Sequence, residues 1–253
     1  MLRERSRSTA VIFETKRRSV FKAVSWRIWA TVTTAVIVLI FTGELTLAIT
    51  VGLLEVVAKM GLYFFHERLW TRIRYGRKEI APFVLWFTGL PASGKKIVAD
   101  EVTRRLREFG LKVERIDSHD VRPLFPETGF SPDEVDRHVK RAGHLAAMLE
   151  KNGVVVVASF VSPYRQSREF ARQVAGHFVE VHMRSTAEAC EKRDDKGHYA
   201  LARNGEYRYF PGVDVAYEES SAPEIVIDVD DTDFDVAADQ VYDYLKRRLL
   251  RVR

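Results

Sequence analysis

The sequence contains one cysteine, Cys190, so no disulfide can form within the chain and a disulfide-stabilised secreted scaffold is excluded. Glycine and proline are also scarce, with 14 and 8 among 253 residues, which excludes collagen-like and low-complexity chains. The 7 histidines do not follow the spacing of a zinc site, and no zinc site is predicted. What the chain does have, 46% hydrophobic and 30% charged residues, is typical of folding around a hydrophobic core.

Positive charge is concentrated in the N-terminal third of the chain. The net charge of the whole chain is +5, but residues 1–80 hold 14 Lys/Arg against 6 Asp/Glu, a net charge of +8. Residues 81–253 hold 26 against 29, a net charge of −3. A basic segment joined to a slightly acidic body fits nucleic acid poorly, so no nucleic-acid partner is predicted. The same boundary separates two predicted domains, residues 1–80 and 81–253.

Two apolar stretches follow the basic N-terminus and predict a transmembrane hairpin. Residues 28–41 carry no charge, and residues 45–65 are long enough to cross a hydrocarbon core, which takes about 20 helical residues. The first stretch reaches that length only if Arg27 extends its charge to the interface. Glu55 and Lys59 interrupt the second stretch. Either they pair along one helix face against the partner helix or an oligomer neighbour, or they serve in transport.

Charge placement predicts how this hairpin is oriented. Basic residues precede the first stretch and follow the second, whereas the turn at residues 42–44 carries only Glu44, so the positive-inside rule places both ends in the cytoplasm. Trp26, Tyr63 and Trp70 lie near the predicted interfaces, where aromatic side chains are enriched. Two amphipathic helices lying in the interface are the alternative, but the uncharged first stretch lacks the polar face this requires. The prediction is a two-pass protein of the inner (cytoplasmic) membrane, anchored through residues 20–70, with its C-terminal domain in the cytoplasm.

This N-terminal region resembles a small bacterial family of predicted two-helix membrane domains of unknown function. The similarity lies in the lead-in KAVSWRIWATVTT and the exit KMGLYFFHERLWTRIRYGR, and it covers about residues 15–78. The resemblance implies a topology and no chemistry.

After residue 82 the pattern changes to short apolar runs that alternate with helical stretches. This alternation predicts an α/β fold, a doubly wound parallel sheet covered by helices on both faces. Capping boxes are predicted at Ser131 with Glu134 and at Ser185 with Glu188. The predicted helices include residues 97–109 and 131–153. The predicted strands are residues 83–88, 112–116, 154–160, 178–183 and 224–229.

The first of these strands runs into the segment GLPASGKK, residues 89–96, which fits the phosphate-loop pattern G-x-x-x-x-G-K. Gly89 and Gly94 let backbone N–H groups approach phosphate oxygens, the helix N-terminus favours negative charge, and Lys95 can reach the transferring phosphates. The context of strand before and helix after favours a P-loop NTPase-type fold over a glycine-rich turn without a ligand. The next position departs from the pattern, because a Ser or Thr should ligate Mg²⁺ there and the ammonium of Lys96 cannot.

Six segments occur in an order and spacing that is similar to the adenylylsulfate kinases. They are FTGLPASGK, DVR, GFS, FVSPYR, CEKRDDKGHYALARNGE and YFPGVDVAYE, and they extend over about residues 83–248. The resemblance implies an ATP-dependent phosphotransferase that moves the γ-phosphate of ATP to the 3′-hydroxyl of adenosine 5′-phosphosulfate (APS). The product would be 3′-phosphoadenosine 5′-phosphosulfate (PAPS), the activated form of sulfate. The resemblance also implies ATP and Mg²⁺ as cofactors and, commonly, a homodimer.

The resemblance further implies a role for each matching side chain. Phe130 and Phe210 correspond to aromatic residues that sandwich the acceptor adenine, and stacking of this kind suits any base. Residues 195–218 would form a mobile lid, and no residue is assigned as a metal ligand. The implied acceptor-binding residues are Arg122, Phe130, Lys196 and Phe210. The implied ATP-binding residues are Gly89, Ala92, Ser93, Gly94, Lys95, Lys96 and Arg193. The implied catalytic residues are Lys95, Asp117 and Ser162.

The chain departs from the family pattern around the chemistry. The second acid of the family's D-G-D-N-V-R is His119 here, which leaves Asp117 and, one position along, Asp120 as a substitute. An acceptor-binding arginine and asparagine of the family are replaced by Val135 and His138. Losing two polar acceptor contacts weakens binding by about 1.5 to 3 kcal/mol each, or redirects the acceptor. The chain is therefore expected to bind nucleotides better than it catalyses.

Three functions stay open at this point. The first is a membrane-tethered adenylylsulfate kinase, favoured because the aromatic pair, Arg122 and Lys196 occur together. The second is a degenerate nucleotide-binding homologue with a regulatory or scaffolding role, in which Lys96 replaces part of the missing cation. The third is a kinase that acts on another nucleotide-like hydroxyl acceptor.

Overall fold

The computed structural model describes residues 11–14, 16–40, 45–73, 77–126 and 128–250. The chain divides into two compact units, one centred on residues 12–79 and the other on residues 80–252. The smaller unit contains two long helices, α1 (Lys16–Ile40) and α2 (Leu45–Arg72). Two short strands, β1 (Val11–Glu14) and β2 (Arg77–Ile80), form a two-stranded sheet.

Helices α1 and α2 pack antiparallel, as the predicted hairpin requires. The rings of Trp26 and Tyr63 meet edge to face with centroids 5.2 Å apart. Towards the start of α1, the buried guanidinium of Arg18 donates hydrogen bonds to the backbone oxygens of Trp70 and Ile73 at 2.7 and 2.8 Å. These oxygens belong to the C-terminal end of α2, where a cation is favoured. Helix α1 therefore begins well before the uncharged stretch.

The membrane crossing predicted for this hairpin is not confirmed by the structure. None of the helices, as far as the structure describes them, combines the length and the apolar character that a membrane span needs. The predicted turn at residues 42–44 and the side chain of Glu55 lie outside the described part of the chain. Several described apolar side chains of the two helices are more than half exposed; they are Val20, Phe21, Val24, Ile28, Met60, Tyr63, Phe64 and Phe65.

The larger unit is built on a five-stranded parallel sheet with the strand order β4-β5-β3-β6-β7. The predicted α/β fold with a parallel sheet is confirmed, and each predicted strand is found with its ends shifted by at most 1 residue. The strands are β3 (Val84–Thr88), β4 (Val113–Asp117), β5 (Val155–Ser159), β6 (Phe178–Arg184) and β7 (Ile225–Asp228).

Helices connect the strands of this sheet. They are α3 (Lys95–Glu108), α4 (Ser118–Val121), α5 (Pro132–Lys151), α6 (Arg165–Val174), α7 (Ala187–Lys192), α8 (His198–Arg203) and α9 (Phe234–Arg248). The capping box predicted for α5 is confirmed, because Glu134 Oε2 accepts the N–H of Ser131 at 3.0 Å. The box predicted at Ser185 is wrong, since Thr186 caps α7 by accepting the N–H of Ala189. The Ser185 hydroxyl instead donates to the carboxylate of Asp230 at 2.6 Å.

The position of β3 determines where a ligand can bind. All residues of β3 and β5 are buried, as expected for inner strands covered on both faces. The chain passes from β3 to β4 and β5 on one side of the sheet, and then to β6 and β7 on the other. A crevice forms outside the carboxyl ends of parallel strands at such a switch point. The phosphate-loop segment, which follows β3, lies at this edge.

Candidate active site

The segment between β3 and α3 has the backbone geometry of a phosphate-binding loop. Gly89, Ala92 and Gly94 have positive φ angles of 145°, 57° and 78°, so the chain turns tightly before α3 begins at Lys95. A Cβ atom at Gly89 would lie 2.4 Å from the backbone oxygen of Met183, which only glycine avoids. The loop therefore sits against β6 and directs the N-terminus of α3 toward the crevice.

The side chain of Lys95 lies inside this loop. Its Nζ atom donates hydrogen bonds to the backbone oxygen of Leu90 at 2.5 Å and to Ser93 Oγ at 3.2 Å. Burial lowers the pKa of Lys95 to about 8. The ammonium is thus mostly charged at neutral pH, and an incoming phosphate would replace a carbonyl oxygen with a stronger anionic partner.

Lys96 lies in a different environment from its neighbour. Its side chain is 68% exposed, and its Nζ atom lies 3.7 Å from Asp117 Oδ2, at the carboxyl end of β4. The other oxygen, Asp117 Oδ1, accepts the N–H groups of His119 at 2.7 Å and Asp120 at 3.3 Å. Burial opposes ionisation of Asp117, but these N–H groups hold its pKa below the usual value. The carboxylate is therefore an anion that attracts the Lys96 ammonium.

Helix α4 is capped by Asp117 and Asp120, the two carboxylates that remain where the family has its acidic pair. Asp117 is the N-cap residue of α4, and Asp120 Oδ2 accepts the N–H of Asp117 at 2.9 Å in a capping box. The His119 side chain is exposed. The carboxylate of Asp120, proposed as a substitute for the lost acid, is thus directed back at the α4 N-terminus.

The residues at this position do not fit a Mg²⁺ ion held by the protein. The side chain at residue 96 is an ammonium in place of a hydroxyl ligand, and the nearby carboxylate of Asp117 is paired with it. Within the described ranges, no group of three or more His, Cys, Asp or Glu side chains is arranged to hold a metal ion. A divalent cation would have to be held by the phosphates of a bound nucleotide and by water.

Two of the predicted acceptor-binding residues contact each other. The guanidinium carbon of Arg122 lies 4.0 Å from the centroid of the Phe130 ring, and Arg122 Nη1 donates to the backbone oxygens of Thr128 and Gly129 at 2.9 and 3.2 Å. The Phe130 ring is 64% exposed. The guanidinium covers one face of this ring, and a base that stacks there would take its place.

His138, which replaces an asparagine of the family, lies behind Arg122. Its Nε2 atom is 3.0 Å from Ser118 Oγ, and Ser118 Oγ also accepts from Arg122 Nε at 3.3 Å. The side chain is buried, and burial, followed by the charges of Arg122 and Arg141, lowers the pKa of His138 to about 4. The imidazole is therefore neutral at physiological pH and connects to the acceptor side of the crevice through Ser118.

The hydroxyl of Ser162 is buried below the crevice, after β5. It accepts a hydrogen bond from Trp86 Nε1 at 3.2 Å and lies 2.8 Å from Thr88 Oγ1, on the central strand β3. Ser162 has a φ angle of 38°, which is strained for a residue other than glycine. The loop after β5 is therefore held in one conformation by bonds to β3.

Three residues that the sequence motifs leave without a role complete this network. Tyr217 OH lies 2.7 Å from Thr88 Oγ1. The buried Arg168 donates to the backbone oxygen of Ser162 at 2.6 Å, and its Nε atom is 3.2 Å from Glu180 Oε1. No spacing in the sequence marks Arg168, because its partners come from separate segments. It ties the Ser162 loop to β6.

The segment predicted as a lid packs against the phosphate loop through an apolar cluster. Cys190, Leu90 and Tyr199 are its buried members. Phe210, predicted to stack on the acceptor adenine, meets the Tyr199 ring edge to face with centroids 5.0 Å apart. Phe130 and Phe210 thus have different neighbours, Arg122 for one and Tyr199 for the other.

The two remaining predicted residues lie at the surface of this region. Arg193 forms an ion pair with Asp230 and contacts the Ser185 hydroxyl at 3.4 Å. Arg193 Nη1 is buried and has no hydrogen-bond partner among the residues that the structure describes. Lys196 is exposed just before the short helix α8. Lys196 is therefore open to a ligand, whereas Arg193 is already paired.

Models of protein families match both parts of the chain. The model of the adenylylsulphate kinase family matches residues 81–228. The model of a family described as a predicted membrane protein matches residues 20–71.

Individual proteins match over nearly their whole length. A probable adenylyl-sulfate kinase of Bacillus subtilis is 36% identical over 189 residues, covering 73% of this chain and 96% of that protein. The adenylyl-sulfate kinase of Halothermothrix orenii is 39% identical over 165 residues, covering 65% of this chain and 89% of that protein. The structure of the Mycobacterium tuberculosis APS kinase in complex with AMPPNP and APS superimposes with a TM-score of 0.63 and 35% identity, covering 66% of this chain and 99% of that one.

Proposed function

Because the chain belongs to the adenylylsulphate kinase family, a family of ATP-dependent kinases, we propose that it transfers the γ-phosphate of ATP to the 3′-hydroxyl of APS. The products would be PAPS and ADP. The observation that carries this proposal is Lys95, a buried ammonium inside a phosphate loop at the switch point of the sheet. Phosphoryl transfer depends mainly on positioning and on neutralising the charge of the transferring group, and both can be supplied from this edge.

On the ATP side, the loop residues divide the work of binding. The N–H groups around Gly94 and at the start of α3 bind phosphate oxygens, and Lys95 moves from the Leu90 oxygen to the γ-phosphate. Arg193 lies near the ATP base in this proposal, after its ion pair with Asp230 opens or widens. Ser162 positions the loop beside the transferring phosphate. Mg²⁺ enters only as the counter-ion that ATP brings with it.

On the acceptor side, Arg122 and Lys196 bind the phosphosulfate of APS as charge-assisted partners. The adenine of APS stacks on Phe130 and takes the place of the guanidinium, and Phe210 closes over the opposite face of the base. Asp117 orients the attacking hydroxyl. Val135 and His138 lie where the family has an arginine and an asparagine, so we expect a lower affinity for APS than in relatives that keep both.

We also propose that residues 20–70 attach the kinase to the inner membrane as a two-pass anchor, with the kinase unit on the cytoplasmic side. Support comes from the match to a predicted membrane protein family over residues 20–71, and from the exposed apolar side chains of α1 and α2. The basic residues that flank the two apolar stretches favour this orientation. PAPS would then be made at the membrane surface.

The test of the kinase activity uses the purified full chain. We expect PAPS to form from Mg-ATP and APS, and we expect Lys95→Ala to lower turnover by about 10²- to 10³-fold, because a group that neutralises transferring charge is lost. Lys112→Ala is the matched control, since Lys112 is an exposed lysine just before the N-terminal end of β4, whereas the phosphate loop lies at the carboxyl ends of the strands. PAPS is resolved from APS by anion-exchange chromatography.

Three outcomes of this assay would contradict the proposal in different ways. Turnover of the wild type no higher than that of Lys95→Ala removes the assigned activity. Product only with another hydroxyl-bearing nucleotide means that Val135 and His138 have changed the acceptor. Binding of AMPPNP without any product identifies a nucleotide-binding homologue that regulates or scaffolds.

A further inference from the structure

We infer that the Lys96 ammonium replaces the protein's share in binding Mg²⁺, so that this loop binds the nucleotide phosphates with little dependence on a divalent cation. The inference rests on the proposed ATP site and concerns how that site neutralises phosphate charge. It departs from the family, in which a hydroxyl at this position would ligate the metal.

Lys96 lies at the edge of the sheet where nucleotide phosphates would bind. Lys96 is the second residue of α3, next to the loop lysine, so its side chain leaves the helix at the edge where phosphates would bind. Its Nζ atom lies 3.7 Å from Asp117 Oδ2. In the family pattern a hydroxyl at position 96 would face a metal ion. Here the Lys96 ammonium faces the Asp117 carboxylate instead.

The positive charge of Lys96 disfavours a metal ion beside it and favours phosphate. A bound Mg²⁺ would bring two positive charges to the phosphates, and an ammonium close to it would be repelled. Without the ion, Lys95 and Lys96 place two ammonium groups at adjacent positions of the same loop. Lys96 can form an ion pair with a phosphate oxygen and so neutralise part of its charge, whereas a serine in its place could donate a hydrogen bond but brings no positive charge.

The Lys96 ammonium can exchange its carboxylate partner for a phosphate. The Lys96 side chain is 68% exposed, whereas that of Asp117 is 17% exposed, and a contact of 3.7 Å joins them, so the ammonium can turn from Asp117 to a phosphate. Asp117 stays satisfied when this happens, because its Oδ1 atom keeps the N–H groups of His119 and Asp120. The exchange therefore leaves the Asp117 carboxylate hydrogen-bonded through Oδ1.

The experiment measures binding of AMPPNP to the purified full chain by titration calorimetry, once in excess Mg²⁺ and once in EDTA. For the wild type we expect the Kd to change by less than ~3-fold between the two conditions. For Lys96→Ser we expect the Kd in EDTA to be ~10-fold or more above the wild-type Kd in EDTA, about 1.4 kcal/mol. When Mg²⁺ is added, the Kd of this variant should fall back toward the wild-type value. Lys96→Met has neither charge nor hydroxyl, so it should bind weakly in EDTA and recover less than Lys96→Ser.

Controls separate this inference from the proposed function. Lys112→Ser removes an exposed lysine at the other end of β4 and should behave as the wild type does. Because Lys96 is itself exposed, its variants are expected to fold. If EDTA weakens the wild type as much as Lys96→Ser, the inference is wrong while the ATP site stands. If the wild type binds no AMPPNP in either condition, both are wrong.

Discussion

At the scale of single residues, the two adjacent lysines of the phosphate loop have different environments. Lys95 is buried and bonded to Leu90 and Ser93, whereas Lys96 is exposed and faces Asp117. The G-x-x-x-x-G-K pattern predicts the first of these positions, because that lysine is part of the motif. The partner of Lys96 cannot be predicted, since it comes from another strand and depends on side-chain placement.

A second residue-scale consequence concerns His138, whose pKa is lowered by burial to about 4 from 6.5. Between these two pH values the unfolded chain binds a proton that the folded chain does not, so stability falls as the pH decreases through this window. We expect His138 to remove about 2 kcal/mol of stability between pH 7 and pH 5. His138→Asn, which keeps an amide able to bond Ser118, should lose that much less over the same change.

Urea unfolding of both proteins at the two pH values measures this difference. Groups other than His138 titrate in both proteins and cancel when the two changes are subtracted. His119→Asn serves as the matched control, because it makes the same substitution at an exposed histidine. Equal pH dependence in wild type and His138→Asn would show that the imidazole is solvated in solution.

At the scale of elements, the turn from β3 into α3 depends on Gly94. Its φ angle is 78°, and a Cβ atom there would lie 2.1 Å from Cε1 of Phe234, at the start of α9. We expect Gly94→Ala to destabilise the fold by about 2 to 4 kcal/mol and to weaken AMPPNP binding, since left-handed strain adds to overpacking. The free energy of unfolding in urea and the Kd of AMPPNP measure the two effects.

Gly205 offers a control that separates these two causes. Its φ angle is also 78°, but a Cβ atom there would meet no atom of the described residues within 4 Å beyond its chain neighbours. Gly205→Ala should therefore show only the backbone strain, about 1 to 2 kcal/mol. Equal losses of stability in the two variants would mean that the Phe234 ring moves aside.

The elements themselves follow closely from the sequence. The strands are predicted to within 1 residue because buried parallel strands are continuous apolar runs bounded by turn residues. The capping box at Ser185 fails because Asp230, far along the chain, takes the serine hydroxyl. Likewise α1 extends over its basic lead-in because Arg18 is buried against the end of α2. Both differences come from tertiary partners, which local spacing does not contain.

The candidate site is predicted less completely than the fold. Motif order places the loops of Lys95, Asp117 and Ser162 at one edge of the sheet, because parallel strands bring their carboxyl ends together. Contacts such as Arg122 with Phe130, or Phe210 with Tyr199, depend on rotamers that no motif encodes. The roles assigned to these residues stay predictions.

At the scale of the whole molecule, we propose a membrane anchor for the basic N-terminal unit and kinase activity for the slightly acidic C-terminal unit. The proposed anchor predicts that the full chain stays in the membrane pellet after carbonate extraction. Carbonate releases proteins bound electrostatically at the membrane surface, but it does not extract a hairpin that spans the bilayer. The chain without residues 1–79 should move to the supernatant and still bind AMPPNP, since the sheet and the phosphate loop come from residues after 80. Immunoblotting of the two fractions measures this partition.

Either of two results would contradict the anchor. Release of the full chain by carbonate would mean that α1 and α2 bind at a surface or pack against a protein partner. Retention of the shortened chain would place the attachment in the kinase unit.

The lone thiol of the chain has a practical consequence. Cys190 is fully buried against Leu90 and Tyr199, between the phosphate loop and the segment that carries Phe210. A maleimide dye can reach it only when that cluster separates, and no other thiol competes for the reagent. The rate of labelling in the unmodified protein therefore reports how often this cluster separates, and it can be measured with and without each nucleotide.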